Sequence, residues 1–353
     1  MTPARHILIV RTDHLGDMLL TLPMARALKA HDPDIRITVL ASSANAVAAA
    51  HHRDVDAVVV DAHEAKGSGL RGLWRLVRQL REVRCDAAVV VHPTPRLALA
   101  LWLARVPVRV GTAYRAYSFL FNRRVRQHRR RPPQRHEGEY NVELLQPLGV
   151  YAASAPIVPL HWQVDVAEAE STRAILAELG VSDQTRLVVL HPGSAGSAMN
   201  WAPEQYAELG KRLVEWDCTV AVTGGPQETS LTARVVAEIG VGAVDLGGRL
   251  TLPQLAALLR RCTLFLGSST GPTHVAAAVG TPVIALYSPL RSQAPVRWRP
   301  LGDAVDIVQP AVDLVCPKCR LERCPYYHCM ERFLSVDLVE QLARARLDGA
   351  ASR

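Results

Sequence analysis

Leu264-Phe265-Leu266-Gly267-Ser268-Ser269-Thr270-Gly271-Pro272-Thr273-His274-Val275-Ala276-Ala277-Ala278 is the stretch on which the fold turns. Its apolar triplet reads as a strand, the small residues as a loop, and the alanine-rich run as a helix over 271–279. Pro272 suits the first helical turn, where its missing N–H costs nothing. A strand that passes through such a loop into a helix is half of a βαβ unit, and the same order recurs on both sides of it. Strands are predicted at 187–191, 219–223, 243–246, 264–266 and 283–286. Helices are predicted between them at 203–215, 228–238 and 252–261, with a last one at 336–347.

The first half repeats this rhythm without repeating its residues. Apolar runs at 6–11, 35–40, 55–61, 86–91 and 108–111 are rich in Val, Ile and Leu and closed by charges, Pro or Gly. Such runs suit strands buried on both faces of a parallel sheet. Helices are predicted between them at 17–30 and 70–83. A Pro-containing passage at 156–159 and a connecting helix at 167–179 separate the halves. The expected fold is therefore α/β, with two Rossmann-like, doubly wound parallel-sheet domains facing each other across a cleft. The expected boundaries are 1–162 and 163–353.

Bulk properties agree. A chain of 353 residues is too long for one ordinary core. With 49% apolar and 21% charged residues it belongs with folded globular proteins. The run at 7–10 is too short for a signal peptide, and the longest apolar stretch, 97–104, is too short to span a membrane. A cytoplasmic chain is expected. Lys and Arg exceed Asp and Glu by 41 to 33, a net charge of +8 that suits acidic small molecules, anionic lipid or nucleic acid.

Ligands of open α/β sheets bind where strands end and helices begin. Four loops of the second half carry small residues there: His191-Pro192-Gly193-Ser194-Ala195-Gly196-Ser197, Thr223-Gly224-Gly225-Pro226-Gln227-Glu228, Leu246-Gly247-Gly248-Arg249-Leu250-Thr251, and the loop at 267–274. Each could simply cap its helix. Together they favour a nucleotide, since amide N–H groups at a helix start hold phosphate. None is a G-x-x-x-x-G-K-[ST] loop, and neither half opens with G-x-G-x-x-G, which argues against ATP hydrolysis and a dehydrogenase. In the first half, Arg11-Thr12-Asp13-His14-Leu15-Gly16-Asp17 joins the first strand to the first helix. Gly16 is expected to permit an unusual turn. Asp17 is either a first-turn acid favoured by the helix dipole or a base for an acceptor hydroxyl.

Gly16-Asp17 with Pro23, the His191-Pro192-Gly193 loop ending at Trp201, Gly225-Pro226-Gln227-Glu228, and Ser269-Thr270-Gly271-Pro272-Thr273-His274 before an alanine-rich helix resemble glycosyltransferase family 9, the ADP-heptose:lipopolysaccharide heptosyltransferases and their relatives. The resemblance implies a GT-B fold with an acceptor domain followed by a nucleotide-sugar domain, and no metal requirement for transfer. It implies Asp17 as the general base of an inverting displacement. Ser194, Thr270, Gly271 and His274 would face the diphosphate, Glu228 the ribose, and the main chain at Leu250 the base. Arg11 matches a basic residue six positions before the aspartate, and with Gly16 it belongs to the acceptor side. Two departures stand out, one of them Ser269, where many members carry Asp. Members commonly carry Lys or Arg two residues before the tryptophan, where this chain has Met199; Arg249, Arg291 or Arg297 are candidates to replace that cation.

The resemblance also gives the basic run a partner. Eight arginines lie between 115 and 135, and Arg123, Arg124 and Arg126, read as part of a basic loop, would attract an anionic, lipid-linked saccharide acceptor and the inner-membrane surface. Few aromatics interleave, and no nucleic-acid partner is expected. Alternatives are a relative using another nucleotide sugar or a protein acceptor, or a non-catalytic binder of sugar nucleotide or lipid. Finally, Cys316, Cys319, Cys324 and Cys329 have the spacing of a tetrahedral site for structural zinc or iron, with reduced thiols as the other reading. Cys85, Cys218 and Cys262 are expected to be packing residues.

Overall fold

The computed structural model describes residues 4–61, 69–127, 134–151, 157, 160–312 and 328–351. Residues up to 127 and 135–163 belong to one compact unit, and those from Val164 onward to another. The first is built on β1 (His6–Val10), β2 (Arg36–Ala41), β3 (Ala57–Val60), β4 (Ala87–Val90), β5 (Val108–Thr112) and β6 (Arg123–Val125). These pair in parallel in the order β3-β2-β1-β4-β5-β6. The second is built on β7 (Leu187–His191), β8 (Thr219–Gly224), β9 (Ala243–Gly247), β10 (Leu264–Ser268), β11 (Val283–Leu286) and β12 (Val305–Val308). Its parallel order is β12-β11-β10-β7-β8-β9.

Both sheets are doubly wound, as the sequence led us to expect. Central strands β4, β7, β10 and β11 are buried along their whole length, which is why they read as unbroken apolar runs. Outer strands β3 and β12 are only partly covered. The strand order reverses between β1 and β4 in one sheet and between β7 and β10 in the other. At such a reversal the following helices diverge to opposite faces, opening a crevice at the carboxyl edge.

Several local features differ from the expectation or add to it. The helix expected at 17–30 is two helices, Leu15–Leu19 and Pro23–His31, because Pro23 has no N–H to continue the ladder and instead starts the second. Gly16 takes a helical conformation within the first of these and makes no unusual turn. The apolar stretch near 97–104 belongs to a helix, Pro95–Leu103, capped by the Thr94 hydroxyl, which accepts from the Leu97 amide at 3.2 Å. The basic run, read as a loop, enters as strand β6: Arg123 and Arg124 extend the sheet edge beside Val110 and Gly111. Strand β12 and the helices Ala46–Ala50 and Glu137–Glu143 were also missed.

The second core includes Trp201, Tyr206, Phe265's neighbours Leu264 and Leu266, and Val339, Ala343 and Leu347 of the last helix, Val336–Ala351. That helix is fastened from outside by Arg212, which donates to Asp337 at 2.6 Å and Glu340 at 2.5 Å, and by a bidentate Arg346–Asp306 pair. Cys85, Cys218 and Cys262 are buried. Burial raises the Cys85 and Cys262 thiols to about 11 and about 12, as befits packing residues. Among the described residues no helix is long and apolar enough to cross a membrane.

Candidate functional site

The first cluster sits at the β1/β4 reversal. Arg11 leaves the end of β1 buried, 4% exposed, and its guanidinium holds two carboxylates. It donates to both oxygens of Asp13, at 2.5 and 2.8 Å, and to Asp17 Oδ1. From the end of β4, His92 brings Nδ1 within 3.5 Å of Asp13. Asn45 donates to the Asp13 carbonyl at 3.2 Å, and the helix Glu137–Glu143 adds the buried carboxylate of Glu137. Asp17 lies in the short helix after β1, its second oxygen in no hydrogen bond among the described residues. Burial pushes its carboxyl above the usual carboxylate range; Arg11 opposes this, while Asp13 and Glu137 add to it. A partly buried carboxylate made more basic and fixed by a cation can take a proton from an alcohol.

Arg11, Gly16 and Asp17 are thus brought together. Asp13, His92 and Glu137 were missed. His92 carried a usable signal, since it follows a predicted strand directly. Arg123, Arg124 and Arg126 are exposed at the sheet edge, two strands beyond β4 and roughly 10 Å away at ordinary strand spacing, and are not part of this cluster.

The second cluster sits at the β7/β10 reversal. After β7, the chain turns sharply: Ser194 Oγ donates to the Ala198 carbonyl at 3.0 Å, and Ser197 Oγ to the Ser194 carbonyl at 2.7 Å. Ala195 holds φ of +45°, a strained value for a residue with a side chain, beside Gly196 at +75°. Glu228 ties this turn to the next loop. Its Oε1 accepts from the Ala195 amide at 3.0 Å and its Oε2 from the Gly225 amide at 2.8 Å. A Cβ at Gly193 would lie 2.2 Å from Glu228 Oε1, so a side chain there would push the carboxylate off the two amides it holds. His191 is fully enclosed, its Nδ1 3.0 Å from Thr223 Oγ1, and burial lowers it to about 4, so it is neutral near pH 7.

After β10, Thr270 leads extended into the helix Gly271–Ala278, which has no side-chain cap. Thr273 Oγ1 donates to the Ser268 carbonyl at 2.5 Å, turning that side chain inward. His274 is buried in the same turn. Because β10 pairs with β7, with Gly267 beside His191, this helix start and the 193–197 turn leave neighbouring strands. A helix start beside a tight turn at one reversal is an arrangement whose main-chain amides can hold a phosphate. Glu228 and Leu250 come from the loops after β8 and β9, farther along the same edge. The 248 turn is fixed by Gly248, φ +68°, whose amide donates to the Gly224 carbonyl at 2.8 Å.

Met199 is buried with Trp201 in the core. Of its candidate replacements, Arg249 pairs with Glu178 at 3.3 Å, Arg297 stacks over Trp298 at 4.4 Å, and Arg291 is exposed. Cys316, Cys319 and Cys324 lie outside the described residues; Cys329 is buried at the start of the helix Cys329–Arg332.

A family model described as glycosyltransferase family 9 (heptosyltransferase) matches residues 73–329. A Haemophilus influenzae protein described only at the level of glycosyltransferase is 31% identical over 84% of this chain and 86% of its own length. Lipopolysaccharide heptosyltransferase 3 of Escherichia coli is 27% identical over 81% of this chain and 83% of its own. Among solved structures, E. coli ADP-heptose lipopolysaccharide heptosyltransferase II matches the fold with a TM-score of 0.79 at 23% identity, over 97% of this chain and 98% of that one.

Proposed function

Because the chain belongs to glycosyltransferase family 9 and is a glycosyltransferase with that family's GT-B fold, we propose that it moves a heptose from ADP-heptose to the inner core of lipopolysaccharide. The names of its relatives support the sugar and the acceptor. The observation that carries the chemistry is Asp17, held by Arg11 at the reversal of the first sheet with its basicity raised by burial. In this reading Asp17 removes the acceptor proton as the hydroxyl oxygen attacks the anomeric carbon. The bond from that carbon to the diphosphate oxygen breaks on the opposite face, inverting the centre. The negative charge that collects on the departing diphosphate is taken up by the amide of Gly271 and by those of the 193–197 turn other than Ala195 and Ser197, which donate to Glu228 and to the Ser194 carbonyl, with Thr270 and His274 beside them. Glu228 accepts from the ribose hydroxyls while keeping its loop contacts, and main chain at Leu250 lines the base.

Arg123, Arg124 and Arg126 draw in the anionic, lipid-linked acceptor at the cytoplasmic membrane surface. In the same proposal, transfer needs no cofactor, and the four cysteines of 316–329 hold a structural zinc or iron. Cys329 fits such a role only as a buried thiol ligand, and metal analysis of the purified chain checks the set.

Calorimetric titration with ADP, UDP and GDP tests the donor assignment. ADP should bind at least tenfold more tightly than the others. Glu228→Gln should weaken ADP binding by about tenfold, the value of one charge-assisted hydrogen bond. Preference for UDP or GDP would retain the chemistry and discard the heptose donor.

A further inference from the structure

The helices Gly69–Val83 and Pro95–Leu103 pack side by side against the first sheet, sharing Leu73, Leu76, Val77, Leu80, Leu97 and Leu101 as their core. Outward they present exposed apolar side chains among arginines. All six tryptophans are described, and the two with more than half their surface exposed are Trp74 at 55% and Trp102 at 51%, one on each of these helices. Leu70, one turn before Trp74, is 74% exposed. The charged residues of the first helix are four arginines against one acid, Glu82, which is paired to Arg78 at 3.1 Å. Arg71, Arg75 and Arg78 flank the Leu70–Trp74 stripe on its solvent side. Arg81 reaches across to the Leu103 carbonyl at 3.1 Å, so the helices present one joined surface.

We propose that this face docks the protein on an anionic lipid bilayer. Exposed tryptophan and leucine, flanked by arginines and nearly without acids, match an interface where apolar side chains enter the headgroup boundary and cations meet lipid phosphate. A second copy of the chain fits poorly, since a two-fold contact would set each arginine row against its equal in sign. The inference deepens the membrane part of the proposed function and rests on that reading for its purpose. The first helix follows β3, so Leu70 and Trp74 stand at the carboxyl edge of the sheet, the edge that also carries Asp17. Trp102, in the last turn of its helix, stands toward the opposite edge, so docking would lay both helices along the bilayer, with the Leu70–Trp74 end nearest the edge that carries Asp17.

The test is cosedimentation of the full chain with phosphatidylcholine vesicles, with and without about one-third phosphatidylglycerol. Wild type should bind the anionic vesicles, lose that binding in high salt, and bind pure phosphatidylcholine far more weakly. Trp74→Ser with Trp102→Ser should reduce binding by about tenfold or more. Arg71→Gln with Arg78→Gln should reduce it by about fivefold per residue. ADP binding, and transfer to a deacylated acceptor, should be unchanged in both variants. Variants that bind anionic vesicles like wild type would overturn the proposal. So would a wild-type dimer that the tryptophan changes convert to monomer, which would assign the face to a second copy. Absence of ADP binding or of transfer in wild type would sink the proposed function and leave the vesicle result to stand or fall alone.

Discussion

Replacing Asp17 with Asn should lower the turnover of glycosyl transfer by about a thousandfold while leaving ADP affinity within about twofold. The change keeps the shape of the side chain and removes its capacity to accept a proton. ADP binds, in the proposed arrangement, to loops of the other unit, so its affinity reports folding and donor capture independently of the base. A second readout comes from pH. The base works deprotonated, and burial raises the Asp17 carboxyl above its ordinary range. Activity should therefore fall on the acid side at a higher pH than an unperturbed carboxylate would give. Turnover that survives the substitution within tenfold would remove Asp17 from the mechanism and direct attention to Asp13, which shares Arg11 with it.

Trp201→Ala should destabilise the second unit by about 4 kcal/mol, lowering its unfolding midpoint by about 10 °C. Trp201 is 1% exposed, meets Tyr206 edge-on with ring centres 5.4 Å apart, and donates from Nε1 to the Leu334 carbonyl at 2.9 Å. Truncation leaves a cavity at the point where the loop after β7, the helix Pro203–Glu215 and the chain entering the last helix meet. The Leu334 carbonyl would still accept from Gln205 Nε2 at 3.1 Å, so packing, not an orphaned acceptor, dominates the loss. Thermal unfolding followed by circular dichroism measures it, with Trp216→Ala at a half-buried site as a milder comparison. Equal midpoints for Trp201→Ala and wild type would contradict the packing described.

The two sheets were legible because their central strands are covered on both faces and must be apolar throughout. Strands β6 and β12 escaped notice for the complementary reason. Arg-Arg-Val and Val-Asp-Ile-Val are edge strands whose partly exposed positions admit charge. The break at Pro23 was written in the chain and outweighed by the apolar periodicity around it. Within the sites, Arg11 and Asp17 could be found because one loop carries both. Asp13 lies in the same loop, but its importance depends on His92, which only the pairing of β1 with β4 brings near. Met199 shows the opposite limit. Family pattern calls for a cation there, whereas here the side chain packs with Trp201 in the core.

In the proposed donor site, Glu228 has a kinetic consequence. One carboxylate spans the turn at Ala195 and the loop at Gly225, so both are positioned without any nucleotide. A nucleotide that needs no loop to order itself loses little time after contact. Its capture should then be set by how fast an anion diffuses to the edge of the sheet and by how strongly dissolved salt masks the charges that steer it.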